Sequence, residues 1–130
     1  MKKKYLLIKN VFHVSNIALI SLYLYPGSIL GQILYGNMHM QPQLTPDFMI
    51  FSSNHVYSFV ILSLLGLISY HKKKIKILFF YLFFISIFLE ICHIFIPQRN
   101  FEFQDLYGNF LGVFFVFILF NLYKSFRGNK

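Results

Sequence analysis

Four apolar segments, separated by turn residues and runs of lysine, dominate this chain. They cover about Leu6 or Val11 to Tyr25, Phe48 to Tyr70, Ile77 to Ile96, and Leu106 to Phe126. A helix needs about 20 apolar residues to cross the hydrocarbon layer. The last three segments meet that length. The first meets it only when Leu6 to Ile8 are counted across Lys9. Unpaired backbone groups are too costly in lipid, so helix is the expected form. The 130 residues are 57% hydrophobic and 12% charged, which a soluble domain of this size has no interior to absorb. A soluble enzyme and a disordered basic tail are both excluded. The expectation is an all-α membrane protein, a bundle of four transmembrane helices forming one domain over residues 1–130. The first segment is read as a retained helix rather than a cleaved signal. Asn10, His13 and Asn16 interrupt its apolar run, and no small-residue cleavage site follows.

The basic residues fix an expected orientation. Lys2, Lys3, Lys4 and Lys9 precede the first segment, and Lys72, Lys73, Lys74 and Lys76 follow the second beside His71. Lys124, Arg127 and Lys130 close the chain. Only Arg99 falls in the other two connections. The positive-inside rule then puts both termini in the cytoplasm. The net charge of +8 is topogenic and lipid-facing, not a nucleic-acid footprint. The connection over residues 26–47 lies outside and holds an apolar stripe, Ile29, Leu30, Ile33 and Leu34, that suits a short interfacial helix.

The acidic residues, Asp47, Glu90, Glu102 and Asp105, all fall on the outer side. Glu90, His93, His55 and Asn109 share a band below that surface when helices are built at 1.5 Å per residue. Glu90 falls six residues from the end of its segment at Ile96. A charge in hydrocarbon costs about 2.5–3.5 kcal/mol on insertion scales. Glu90 should therefore turn inward to His55, His93 or Arg99, or stay protonated. Each residue also has a plainer reading. Glu90 and Asn109 suit inter-helix hydrogen bonding, Asp105 an N-cap, Arg99 an interface anchor and His55 a packed core histidine. His13, Asn16 and Asn121 read as packing or interface residues, and Cys92 as a small apolar one. Gly108 and Gly112 form a small-xxx-small pair that admits a close neighbour. Glu90-x-x-His93 is half of a di-metal helix motif, but no second copy exists, so no metal or other cofactor is expected. Ser52-Ser53 near His55 lack an orienting acid in the sequence, which argues against a hydrolase.

Glu90, Pro97, Arg99, Asp105, Asn109 and Gly112 together resemble the VanZ-like family of small membrane proteins. The family pattern is an acidic residue, a Gln three later, Pro-x-Arg, then Asp-x-x-x-Asn-x-x-Gly opening the last helix. His55, with Phe59 and Leu62 after it, is similar to the family's helix-two histidine. The resemblance covers residues 47–122. His93 stands where the family has Gln, and Phe51-Ser52 replace the family's Asp-Lys; Asp47 lies one turn earlier. The family is named for a member tied to reduced teicoplanin susceptibility.

Three functions follow as expectations. The first is an outward-facing polar pocket at the cell envelope that binds an anionic lipid or a lipid-linked wall precursor. In it Arg99 holds the anion, Glu90, His93 and His55 form the floor, and Asp105 and Asn109 fix Arg99. The second is a structural partner subunit whose polar residues only pack helices. The third is an enzyme or transporter for a lipid-linked substrate; transport by four helices would need a homo-oligomer.

Overall fold

The computed structural model describes residues 2–70 and 74–128, with side chains from Leu6 onward. His71, Lys72, Lys73 and Lys130 of the basic clusters lie outside the described residues, as do the side chains of Lys2 to Lys4. Five helices are present: α1 Lys2–Leu24, α2 Ile29–Tyr35, α3 Ser53–Ser69, α4 Ile75–Cys92 and α5 Phe103–Gly128. There is no strand among the described residues.

α1, α3, α4 and α5 run alternately up and down. Tyr23 of α1 meets His55 of α3 at one end, and Ile8 of α1 meets Ser69 of α3 at the other. The first of these ends is the polar end below, and the second, which carries Lys9, Lys74 and Arg127, is the basic end. The core between them is aliphatic and aromatic: Phe12, Phe59, Leu62, Phe79, Leu82 and Val113 are each buried. The closest pairing is α3 with α5. A Cβ built on Gly112 would lie 2.6 Å from the Val56 carbonyl oxygen, and one on Gly108 would lie 2.6 Å from that of Ser52. Only glycine lets the two backbones come so near, so the small-xxx-small pair works within the chain.

The outer faces are as apolar as the core. Ile17 is 64% exposed, Phe80 76% and Phe115 56%. Such continuous apolar surface on a soluble monomer would be an aggregation site; in a bilayer it is the lipid contact. Three helical stretches are long and apolar enough to cross a membrane: Leu6–Leu24, Ile75–Cys92 and Phe103–Gly128.

The segment bounds differ from the sequence reading, least in the fourth, which is helical over Phe103–Gly128 rather than Leu106 to Phe126. The first segment is an uninterrupted helix from Lys2, so it is among the three long ones rather than the doubtful one. The second shrinks to 17 residues because Phe48–Ser52 are not helical. Phe48 N–H donates to Phe51 O, Ser52 is extended, and Asp47 Oδ1 accepts Ser53 N–H at 2.8 Å. That carboxylate satisfies an orphan donor and marks where the helix begins. The third segment ends as α-helix at Cys92 instead of Ile96. From there Ile94, Phe95 and Ile96 make successive i to i+3 bonds, the tighter turns common at helix ends. Pro97 disfavours helical geometry at Ile96. Glu90 therefore sits two residues from its helix end, not six.

In the 26–47 connection, α2 matches the expected short helix. The Ser28 hydroxyl accepts Gly31 N–H at 2.9 Å as an N-cap. Gly36 closes it at φ 66°, a left-handed stop that glycine adopts without strain.

Candidate functional site

The end of α1 creates the first requirement. Its last carbonyls have no partner within the helix, and its last turn carries no basic residue. The caps come from the far side of the chain. Arg99 Nη2 donates to Leu22 O at 2.9 Å, Arg99 Nε donates to Tyr25 O at 3.2 Å, and His93 Nε2 donates to Tyr23 O at 3.1 Å. A cation at a helix C-terminus also meets the negative end of the helix dipole. Arg99 reaches this position through a turn in which Pro97 and Gln98 are central and Arg99 N–H donates to Ile96 O at 3.2 Å. Gln98 has φ 63°, the left-handed conformation that such turns normally give to glycine.

This corrects one expectation. Asp105 and Asn109 do not hydrogen-bond Arg99; the backbone carbonyls of Leu22, in α1, and Tyr25, just after it, do. Arg99 makes no ion pair with a carboxylate among the described residues. Burial pulls the guanidinium down from its usual value, and nearby acidic groups including Asp105 and Glu90 pull the other way. Arg99, His93, Tyr23 and His55 line one side of a cavity of about 400 Å³. α2 and the residues after it, among them Leu30, Leu34 and Leu44, line the other. That volume is in the range of small-molecule sites.

Behind this wall lies a buried polar cluster. Asn109, fully buried on α5, donates from Nδ2 to Ser86 O at 3.2 Å. This orients the amide, so Oδ1 faces the α1 and α3 side chains. The Tyr23 hydroxyl donates to Asn109 Oδ1 at 2.6 Å. His55 Nδ1 lies 2.9 Å from the Tyr23 oxygen and 3.0 Å from Asn109 Oδ1. With the phenol proton directed at the amide, Nδ1 faces two acceptors and carries a hydrogen itself. His55 Nε2 points the other way, 3.5 Å from Asp105 Oδ2. Glu90, also fully buried, accepts Glu102 N–H on Oε1 at 3.0 Å. Its Oε2 has no hydrogen bond and lies 3.2 Å from His93 Nδ1.

The six residues singled out as a pocket therefore do assemble at one end of the bundle, in two groups. Arg99, His93 and one face of His55 line the cavity. Glu90, Asp105 and Asn109 stand behind it. Asp105 is not an N-cap: it lies inside the first turn of α5 and turns toward His55. The orienting acid that the sequence lacked for His55 is thus present, but Ser53 is not its partner. The Ser53 hydroxyl donates to Thr45 O at 2.7 Å. Asp47 holds the start of α3 and Gln43 rather than the imidazole.

Tyr23 was missed. It touches His55, Asn109 and, by ring stacking at 5.8 Å, His93. Its position one residue from the end of an apolar helix, three before Pro26-Gly27, is the available signal. Of the residues read as packing or interface, His13 bonds to the Tyr70 hydroxyl, Asn16 donates to Tyr81 while its Oδ1 has no partner, and the exposed Asn121 donates to Phe117 O.

No protein-family model matches this chain, and neither a curated protein nor a solved structure does.

Proposed function

We propose that this is a VanZ-like protein of a bacterial cytoplasmic membrane. In this reading four helices span the bilayer, both termini are cytoplasmic, and the cavity under α2 binds an anionic headgroup at the outer leaflet. A lipid-linked wall precursor is the favoured ligand class, and altered glycopeptide susceptibility would follow from changed access to it. The observation that carries the reading is Arg99, a guanidinium in the wall of a 400 Å³ cavity. Its positive charge is oriented by neutral carbonyls and left without a carboxylate. Nη1 makes no hydrogen bond among the described residues and suits a phosphate oxygen by a charge-assisted bond. His93, Tyr23 and the apolar residues of α2 would meet the rest of the headgroup and the first carbons of its chain.

The test is native mass spectrometry of detergent-purified protein with a polyprenyl diphosphate, with phosphatidylglycerol and with phosphatidylcholine. Retention of the polyprenyl diphosphate, and at least a tenfold loss in Arg99→Ala, supports the reading. Equal retention of phosphatidylcholine contradicts it. Orientation is tested separately: a cysteine at Asn100→Cys, in a Cys92→Ser background, should react with an impermeant maleimide added to intact cells.

A further inference from the structure

The pair His55 and Asp105 presents a problem of proton count. Nδ1 of His55 carries its hydrogen toward the Tyr23 and Asn109 oxygens. In a neutral ring, Nε2 is then a bare lone pair facing the Asp105 carboxyl oxygen 3.5 Å away. Two acceptors face each other, so something positive belongs between them. Glu90 raises the demand. One of its carboxyl oxygens lies within 4.8 Å of both a ligand atom of His55 and one of Asp105. Glu90 is fully buried, and its Oε2, which has no hydrogen bond, lies 3.2 Å from His93 Nδ1. Two carboxyl groups at this depth are costly unless neutralised, and Arg99 hydrogen-bonds backbone carbonyls and neither of these carboxylates.

From this geometry we propose that His55, Asp105 and Glu90 form a binding site for a divalent transition-metal ion of the Zn²⁺ or Mn²⁺ class. The donor set, one imidazole nitrogen and two carboxylate oxygens, is of borderline hardness and suits such ions. Ligand atoms around one ion lie about 3–4 Å apart when metal–ligand bonds are near 2.1 Å. The separations here, all within 4.8 Å, close to that by small side-chain rotations. The outer partners are those that metal ligands use. His55 gives its other ring N–H to a carbonyl-type oxygen on Asn109, which is itself held by Ser86 O. Glu90 Oε1 is fixed by Glu102 N–H. Such partners set the tautomer and aim the ligands. Asp105 and His55 side chains retain 19% and 12% of their exposure, which gives an ion a way in. The ligands come from α3, α4 and α5, so the ion would tie three helices together. The inference does not rest on the headgroup reading: of the three ligands only His55 borders the cavity, and neither Glu90 nor Asp105 lines it.

The experiment is titration of the purified, metal-stripped full chain with Co²⁺, read by its visible d–d absorption, and with Zn²⁺ by calorimetry and thermal unfolding. The expected result is one ion per chain and a raised Tm. At least tenfold weaker binding is expected in Asp105→Asn and Glu90→Gln. A His13→Ala/His39→Ala double variant should bind within twofold of the unmodified chain, since both histidines are exposed and neither belongs to the cluster. Absence of the Co²⁺ band together with an unmoved Tm would mean that a proton, not a metal, occupies the gap, and would overturn the proposal. So would binding that survives in Asp105→Asn and Glu90→Gln but vanishes in the double histidine variant. The Tm reading on the unmodified chain decides the matter even where a ligand variant does not fold.

Discussion

The two ends of the bundle hold similar kinds of side chains and use them differently. From the basic end to mid-span, polar groups meet in sets of two or three beside aromatic rings. Asn16 donates to Tyr81, His13 meets Tyr70, and Lys9 lies 5.6 Å over the Tyr70 ring. At the polar end, Tyr23, His55, Ser86 and Asn109 come from four helices and form one connected network. Each of these contacts joins α1 to one other segment only. A network shared by four helices fixes their relative positions, because each member satisfies another that has no alternative. The difference teaches that polar content alone does not mark a site; convergence from separate elements does.

Substitutions should expose that contrast in graded steps. The largest effect is expected from Gly112→Leu, which drives side-chain atoms into the Val56 carbonyl and the Phe59 Cβ. The cost should be on the order of 3 kcal/mol or more, read as loss of cooperative thermal unfolding in detergent. An unchanged Tm would break the claim that α3 and α5 touch at this glycine. Next, Asn109→Ala removes the hub of the polar end and should cost about 2 kcal/mol, above the usual inter-helix hydrogen bond in membranes. Gln98→Gly should go the other way. Relief of a left-handed non-glycine backbone is expected to stabilise by about 1 kcal/mol, seen as a higher Tm. Asn16→Ala, which removes a two-residue contact near the middle of α1, should cost the least, about 0.6 kcal/mol. If the two asparagines prove equal, the pair and the network do not differ as described.

The helical architecture was legible because lipid makes a strong demand on sequence: long apolar runs, and lysine where they stop. Pro97 and Pro26 with Gly27 marked the ends of two runs. The helix bounds were less legible. Phe48 to Phe51 are apolar and continue the second run in the sequence, yet Asp47 begins the helix at Ser53 by taking its N–H. That depends on a loop carboxylate folding back over six residues, which periodicity does not report. In the site, Glu90, His93 and Asn109 stood out because polar residues are rare in such segments. Tyr23 did not stand out among nine tyrosines, since a tyrosine near a helix end is ordinary at a membrane interface. The role of Arg99 was misassigned for a related reason. Its partners are the carbonyls of Leu22 and Tyr25, and backbone acceptors leave no trace in residue identity.

The convergence of α1 with α3 and α5 at the polar end is the claim on which the cavity and the cluster both depend. A double-mutant cycle between Tyr23→Phe and Asn109→Ala, measured by thermal unfolding, tests it most directly. The Tyr23 hydroxyl and Asn109 Oδ1 lie 2.6 Å apart, so the two losses should couple by about 1 kcal/mol. Strictly additive losses would show that the two side chains do not meet and would contradict the account.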